Sequence, residues 1–338
     1  MQSGSCVADC LEILGHQGRT AHQGAIYIGT AEQRGRIAGF NTATVQNSRC
    51  RRVNLRSDCQ LLADKRMHVL RLLWADKWAT AAAFFLTVVV LCAIFGPYFL
   101  EDATSRPNLR GRNSPAFDLS QGWMFFLGGD QLGRPLLARI IVAAQNTMMV
   151  AAGAVAASLV IGTALGLVAG YSRGLAAQII PRLADVIMSF PSLLLAVIVL
   201  YMLEPAVGNL IIVLAITRIP IYLRTTRAEV LEIRERMFVQ AAQVMGASPR
   251  RIVFRHILPV VLPTLLTIAT LDFAFVMLAE SSLSFLGIGI QPPEITWGLM
   301  VAQGRPYLTT AWGLSFWPCL VIILTTLSLN LLSNWLRV

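Results

Sequence analysis

Four stretches of the chain carry no charge: Trp78 to Leu100, Ile140 to Ser172, Val186 to Leu203 and Pro306 to Leu336. Two more are nearly as apolar. Pro205 to Leu223 contains only Arg218, and Leu258 to Leu283 contains Asp272 and Glu280. A helix of about 20 apolar residues crosses the hydrocarbon core of a bilayer. The pattern therefore predicts six spanning helices, at roughly 79–100, 146–170, 184–203, 206–223, 258–283 and 312–333. The expected fold is an all-α polytopic membrane protein. Pro191, within Ser189-Phe190-Pro191-Ser192, removes a backbone donor and is expected to kink the third helix. Gly162 and Gly166 form the small-xxx-small spacing that lets two helices approach closely.

Composition agrees with that pattern. The 338 residues are 55% hydrophobic and 14% charged, with mean hydropathy +0.62. A soluble domain is about a quarter charged, so an ordinary soluble enzyme is excluded. The net charge of +10 does not point to nucleic acid, because the basic residues are distributed as membrane loops distribute them. With the N-terminus inside, 15 Lys and Arg fall on the inner side, from Lys65 to Arg337, and six on the outer side, from Arg106 to Arg305. That asymmetry predicts both termini in the cytoplasm. The first outer loop runs against it with five arginines: Arg106, Arg110, Arg112, Arg134 and Arg139.

Residues 1–66 are expected to be a polar N-terminal tail, disordered or produced by a misassigned start. The stretch from Met67 is basic and amphipathic, and translation beginning there is the corresponding expectation. The transport domain is placed at 67–338. Lys65 and Lys77 are the only lysines, and neither follows Gly-x-x-x-x-Gly, so this chain has no P-loop for nucleotide phosphates. Gly-x-Ser-x-Gly and His-Glu-x-x-His are also missing. Cys6, Cys10, His16 and His22 have poor spacing for a zinc finger. No catalytic residue, metal or cofactor is expected.

The segment from Arg224 to Pro259 is the longest inner loop. Val230, Ile233, Met237 and Ala241 follow a helical spacing, and Gln240-Ala241-Ala242 adds a small-residue patch. Gly246 suits a helix C-terminus. Ser248 suits an N-cap and Pro249 the first position of the next helix. The grammar is a short helix, a sharp turn and a helix re-entering the membrane. This segment resembles the EAA loop of ABC importer permeases, with Gln240 in place of Glu, Ala241 and Ala242 matched, Gly246 three residues on, and Leu258-Pro259 at the expected distance. Gly128 to Arg134, Ala279 to Gly298 and Asn330-Leu331-Leu332 resemble further elements of the C-type permease subunit in the dipeptide/oligopeptide branch, with departures at Gly129, Pro135, Ser333 and Asn334.

The resemblance covers about 67–338 and implies a type I ABC importer permease fold in a bacterial plasma (inner) membrane. It implies a non-catalytic subunit that translocates short peptides. Gln240, Ala241, Ala242 and Gly246, flanked by Arg236 and Arg250, would couple it to a separate cytoplasmic ATPase. The other partners implied are a B-type permease forming a heterodimer and an extracytoplasmic solute-binding protein. Nickel or another small solute stays open as cargo.

Ionisable residues inside a membrane are functional candidates. Asp272, at mid-helix, and Glu280, with Pro191, are the candidates for the translocation path. Asp185 and Arg218 are expected near the inner interface. An ion-coupled secondary transporter using Asp272 and Glu280 is the alternative of a different class. It predicts an inverted repeat, and the sequence displays none.

Overall fold

The computed structural model describes residues 76–117, 122–203 and 206–336. The tail over 1–66, the stretch opening at Met67 and the Cys6, Cys10, His16 and His22 set lie outside the described residues. Ten α-helices follow one another among those described: α1 Lys77–Ser105, α2 Leu136–Tyr171, α3 Ala176–Met188, α4 Ser192–Met202, α5 Val207–Ile233, α6 Met237–Val244, α7 Pro249–Ile252, α8 Leu258–Phe285, α9 Trp297–Gly304 and α10 Gly313–Leu336. A π turn over Val253–Ile257 joins α7 to α8, so that Pro249–Phe285 runs as one span. Among the described residues, five helices are long and apolar enough to cross a membrane, and α3 with α4 makes a sixth span if the bent pair is counted as one.

The third span departs from expectation. In place of one kinked helix over 184–203, α3 and α4 meet at 86°. Pro191 lacks an N–H, and the helical region is disfavoured for a residue that precedes proline. α3 closes on the bond from Ser189 N–H to the Asp185 carbonyl (3.0 Å), and α4 restarts at Ser192 with Pro191 as its N-cap.

α2 begins ten residues before its predicted start. Arg139, counted with the first outer loop, lies inside the helix, and its guanidinium is buried against Asp130 at 2.6 Å. At 36 residues, α2 is roughly 54 Å long at the usual helical rise. It outruns a hydrocarbon core of about 30 Å, so its last turns and the helices packed on them reach the polar zone.

The packing of α2 on α5 is the most extensive in the bundle. Gly162, Gly166 and Gly170 form one stripe on α2. A Cβ on them would lie 2.6 Å from Tyr222 Cβ, 2.6 Å from Thr226 Cβ and 2.8 Å from Val230 Cβ respectively. The small-xxx-small pattern thus extends one turn beyond the pair legible in the sequence. Gly166→Val is expected to destabilise by about 1–3 kcal/mol by forcing the helices apart. Gly208→Ala, with nothing within 4 Å of the added Cβ, is the neutral control. Thermal unfolding of the two variants in one detergent tests this, and equal stability would refute it.

Two apolar cores result. The larger is built from α1, α2, α4, α5, α8, α9 and α10, and includes Ala143, Val150, Ala154, Leu210, Met277, Leu283 and Trp297. The smaller lies at the end of the bundle that carries α6. It joins Leu167, Tyr222, Val230 and Ile233 to Val239 and Ala242 of α6, and to Ile252, Ile257, Val261 and Leu265.

Candidate functional site

The helical spacing from Val230 to Ala241 predicted one uninterrupted helix. The structure breaks it. α5 stops at Ile233 and a turn over Arg234–Arg236 precedes α6. The turn lets Val230 and Ile233 on one helix and Val239 and Ala242 on the other all face the smaller core. Arg234 Nη1 donates to the Gly170 carbonyl at 3.2 Å, tying the turn to the end of α2. Gln240 Nε2 donates to the Glu235 carbonyl at 3.1 Å. A glutamate there, being an acceptor only when ionised, has no such bond to give.

α6 closes in a Schellman motif. Ala247 N–H bonds the Ala242 carbonyl and Gly246 N–H the Gln243 carbonyl, each at 3.0 Å, with Gly246 at φ +78°. That left-handed geometry suits glycine. Ser248 holds the N-cap position of α7 and Pro249 its first turn, but the Ser248 side chain makes no capping bond.

The outward side of α6 is apolar. Met237 is 82% exposed, Val244 90% and Met245 69%, with Gln240 exposed beside them and Ala241 partly so. These residues lie among Arg234, Glu235, Arg236, Arg250 and Arg251, which places them in the polar zone. An apolar face in such surroundings marks an interaction site. Arg236 Nη2 is paired with Glu232 at 2.8 Å, with both side chains exposed, while Arg250 and Arg251 are exposed without an ion pair among the described residues.

Deeper in the bundle, the structure joins two of the intramembrane charges. Arg218 Nε donates to Asp272 Oδ1 at 2.6 Å, and Nη2 reaches the same oxygen. Tyr222 donates to Asp272 Oδ2 at 3.1 Å. The guanidinium also stacks on the Phe275 ring, 4.2 Å from its centroid. The Asp272 side chain is 2% exposed and that of Arg218 15%. Arg218 was expected near the interface. It sits close to the middle of α5 because that helix continues to Ile233, ten residues past the predicted end. Asp185 pairs with Arg224, both about half exposed, as fits a position near an interface.

Glu280 is fully buried. Its carboxylate accepts from Ser284 Oγ at 2.8 Å and Ser281 Oγ at 3.4 Å, and from the Thr296 hydroxyl. It thereby holds the returning segment to α8. The segment then seats Trp297, whose indole donates to the Ile140 carbonyl at 2.9 Å. Pro191 lies at the bend of the third span. Asp272 and Glu280 are thus satisfied within the chain.

At the opposite end from α6, Asp130 organises the Gly128–Arg134 element. Its Oδ1 accepts from the backbone N–H groups of Leu132 (2.8 Å) and Arg134 (2.7 Å). Its Oδ2 accepts from Arg134 Nε (2.8 Å) and Arg139 Nη1 (2.6 Å). Arg139 continues to Gln303 Oε1 at 3.0 Å. Two of the five arginines that argued against the orientation of this loop are therefore held by one buried carboxylate. Sequence reasoning missed this cage, the Arg218–Asp272 pair and the hydroxyl of Tyr222. The available signal for the pair was two opposite charges in neighbouring apolar stretches.

Five spans, a bent pair that can count as a sixth, and the short helices α6 and α7 between α5 and α8 fit the type I ABC permease fold. The chain belongs to the family of binding-protein-dependent transport system inner membrane components, whose pattern matches residues 162–338. It is 38% identical over 263 residues to a di/tripeptide transport system permease protein DppC of Pseudomonas aeruginosa, covering 78% of this chain and 87% of the relative. It is 34% identical to a dipeptide permease DppC of Alkalihalophilus pseudofirmus, covering 78% and 84%. It is 35% identical to a glutathione permease GsiD of Escherichia coli, covering 78% and 88%. Such permeases are non-catalytic subunits, with ATP hydrolysis on a separate chain, and this chain is a non-catalytic, multi-pass subunit of the bacterial inner membrane. Membership in this family displaces the ion-coupled secondary transporter.

Proposed function

We propose that this chain is one of two permease subunits of an ATP-driven importer of short peptides, and that a separate cytoplasmic ATPase grips it at α6. The observation that carries the proposal is the exposed stripe of Met237, Ala241, Val244 and Met245 on a helix whose other face is locked into the bundle by Val239 and Ala242. A docking helix must offer an apolar surface to its partner and transmit force through its own core, and α6 has both properties. In this reading Gln240 keeps the preceding turn closed, Gly246 sets the angle of return, and Arg250 flanks the docked surface. Arg236, already paired with Glu232, contributes little to docking, since exposed ion pairs are worth about 0–1 kcal/mol.

In this reading α6 faces the ATPase and, with the bent pair taken as one span, both termini are cytoplasmic. The second permease would complete the path between two such bundles, and an extracytoplasmic binding protein would deliver cargo at the end organised by Asp130. Short peptides are the cargo that the names of the relatives support. In this reading the path runs past Pro191 at the bend and Asp272 at the α5–α8 contact, and Glu280 stands behind it, holding the returning segment to α8.

The test is uptake of labelled di- and tripeptides by cells carrying the whole transporter. Replacing the phosphate-binding lysine of the ATPase should abolish uptake, and Val244→Asp in this chain should reduce it at least tenfold with the chain still in the membrane. Uptake that persists on an ion gradient without the ATPase would sink the proposal.

A further inference from the structure

A groove of about 630 Å³ opens on the outside of the bundle between the last turns of α2 and the α7–α8 span. Its walls are almost wholly apolar, from Leu159 and Leu262 at one end to Val168 and Phe254 near the other. Val160, Val168 and Phe254 are largely exposed. The charged group of the lining, Arg250, is at the α6 end beside Ser172, and the Thr163 hydroxyl, buried without a partner, is the polar group farther along. From Leu159 to Ser172 the groove follows α2 for roughly 20 Å at the helical rise. One leaflet of the hydrocarbon core is about half of 30 Å. The groove is therefore long enough to take an acyl chain of one leaflet.

The charge at that end has a single sign. Arg173, Arg250, Arg251 and Arg255 are exposed, and none has an ion pair among the described residues. The acidic side chains near that end are on α5 and the turn after it: Glu232 is taken by Arg236 and Glu235 by Arg234, while Glu229, half-buried, makes no ion pair among the described residues. In addition, the Ser172 hydroxyl is buried with no hydrogen-bond partner, and buried polar groups are ordinarily paired. An acyl-length apolar slot with an orphan donor and unpaired arginines at its polar end matches one ligand chemistry.

We propose that this groove is a binding site for an anionic phospholipid, with an acyl chain along α2 and α8 and the phosphate accepting from Arg250 and Ser172. The inference requires only that the chain lies in a membrane and does not rest on the coupling reading. The arginines supply attraction for the anionic headgroup, and the apolar walls exclude water from the chain.

The test uses the assembled transporter purified in mild detergent, with phosphatidylglycerol or phosphatidylcholine added and retained lipid counted by native mass spectrometry. Phosphatidylglycerol should be retained at least tenfold better than phosphatidylcholine. Arg250→Gln, at an exposed position, should remove most of that preference, with the ATPase still present in the mass of the intact complex. Ala164→Trp should fill the slot and lower retention of both lipids, with assembly judged by the mass of the intact complex. Should Ala164→Trp disturb assembly, Val168→Trp at an exposed wall position replaces it. Soluble glycerol phosphate should not displace the lipid. Equal retention of the two lipids overturns the proposal. So does unchanged retention in Arg250→Gln, or displacement by glycerol phosphate, which would make a free phosphate the ligand. A groove occupied by the second permease would appear as retention of neither lipid and would overturn it too.

Discussion

Gly246→Leu will lower peptide uptake more than tenfold and leave the amount of chain in the membrane unchanged. Gly246 turns the chain at φ +78°, where a residue with a Cβ is strained by roughly 1–2 kcal/mol. A Cβ there would have no atom within 4 Å. The strain is therefore local, with no clash inside the protein, and it is small beside a typical folding stability of about 5–15 kcal/mol. Insertion and the bundle should survive it. The leucine would project from the tip that carries Val244 and Met245, into the surface proposed to seat in the ATPase. Asparagine tolerates this backbone region, so Gly246→Asn should retain far more uptake than Gly246→Leu. Gly246→Ala adds the strain without the bulk and should fall between them. Immunoblots of membranes beside uptake assays separate loss of protein from loss of coupling. Normal uptake by Gly246→Leu would mean that this tip touches no partner that matters.

The spans were legible because lipid allows few solutions: a charge-free run of sufficient length has to be a helix. The turn at Gly246 was legible for a similar reason, since few residues suit a positive φ. What escaped was whatever depends on long-range pairing. Arg139 read as a loop residue because a lone charge marks a helix end, yet Asp130 neutralises it nine residues away. Arg218 read as interfacial because its partner, Asp272, lies on another helix. The same blindness cut the glycine stripe short. Gly170 follows Gly166 at the right spacing, but only the approach of Val230 reveals that it is in contact. Pro191 announced a disturbance of the third span. Its 86° size depends on how α3 and α4 pack against the rest, which no local pattern encodes. The outward stripe on α6 was partly readable. Ala241 and Ala242 were visible as small residues, but only the fold shows that Ala242 is buried and that Val244 is exposed.

The second large effect is expected at the pair in the middle of the bundle. Asp272→Leu or Arg218→Met alone should destabilise the protein by about 3–5 kcal/mol, because each leaves an opposite charge buried without its partner. The double change Arg218→Met with Asp272→Leu should recover most of that loss, since replacing a whole buried ion pair with apolar groups is often neutral or stabilising. Tyr222→Phe removes one hydrogen bond to the carboxylate and should cost about 1 kcal/mol. Thermal unfolding of the four variants in one detergent gives the coupling directly, and additive losses would show that the pair does not hold the helices together. Transport then tells whether the pair does more than hold. Tyr222 belongs to the smaller core that also contains Val239 and Ala242 of α6, so the proposed docking helix and the α5–α8 ion pair are anchored in one packed block. A helix contact closed by an ion pair has two discrete arrangements, paired and parted, and a packed block is suited to switching between them. If the pair breaks and reforms during each cycle, the double variant should be stable and correctly inserted and should still lose most of its peptide uptake. A stable double variant with full uptake would reduce the pair to a structural clamp.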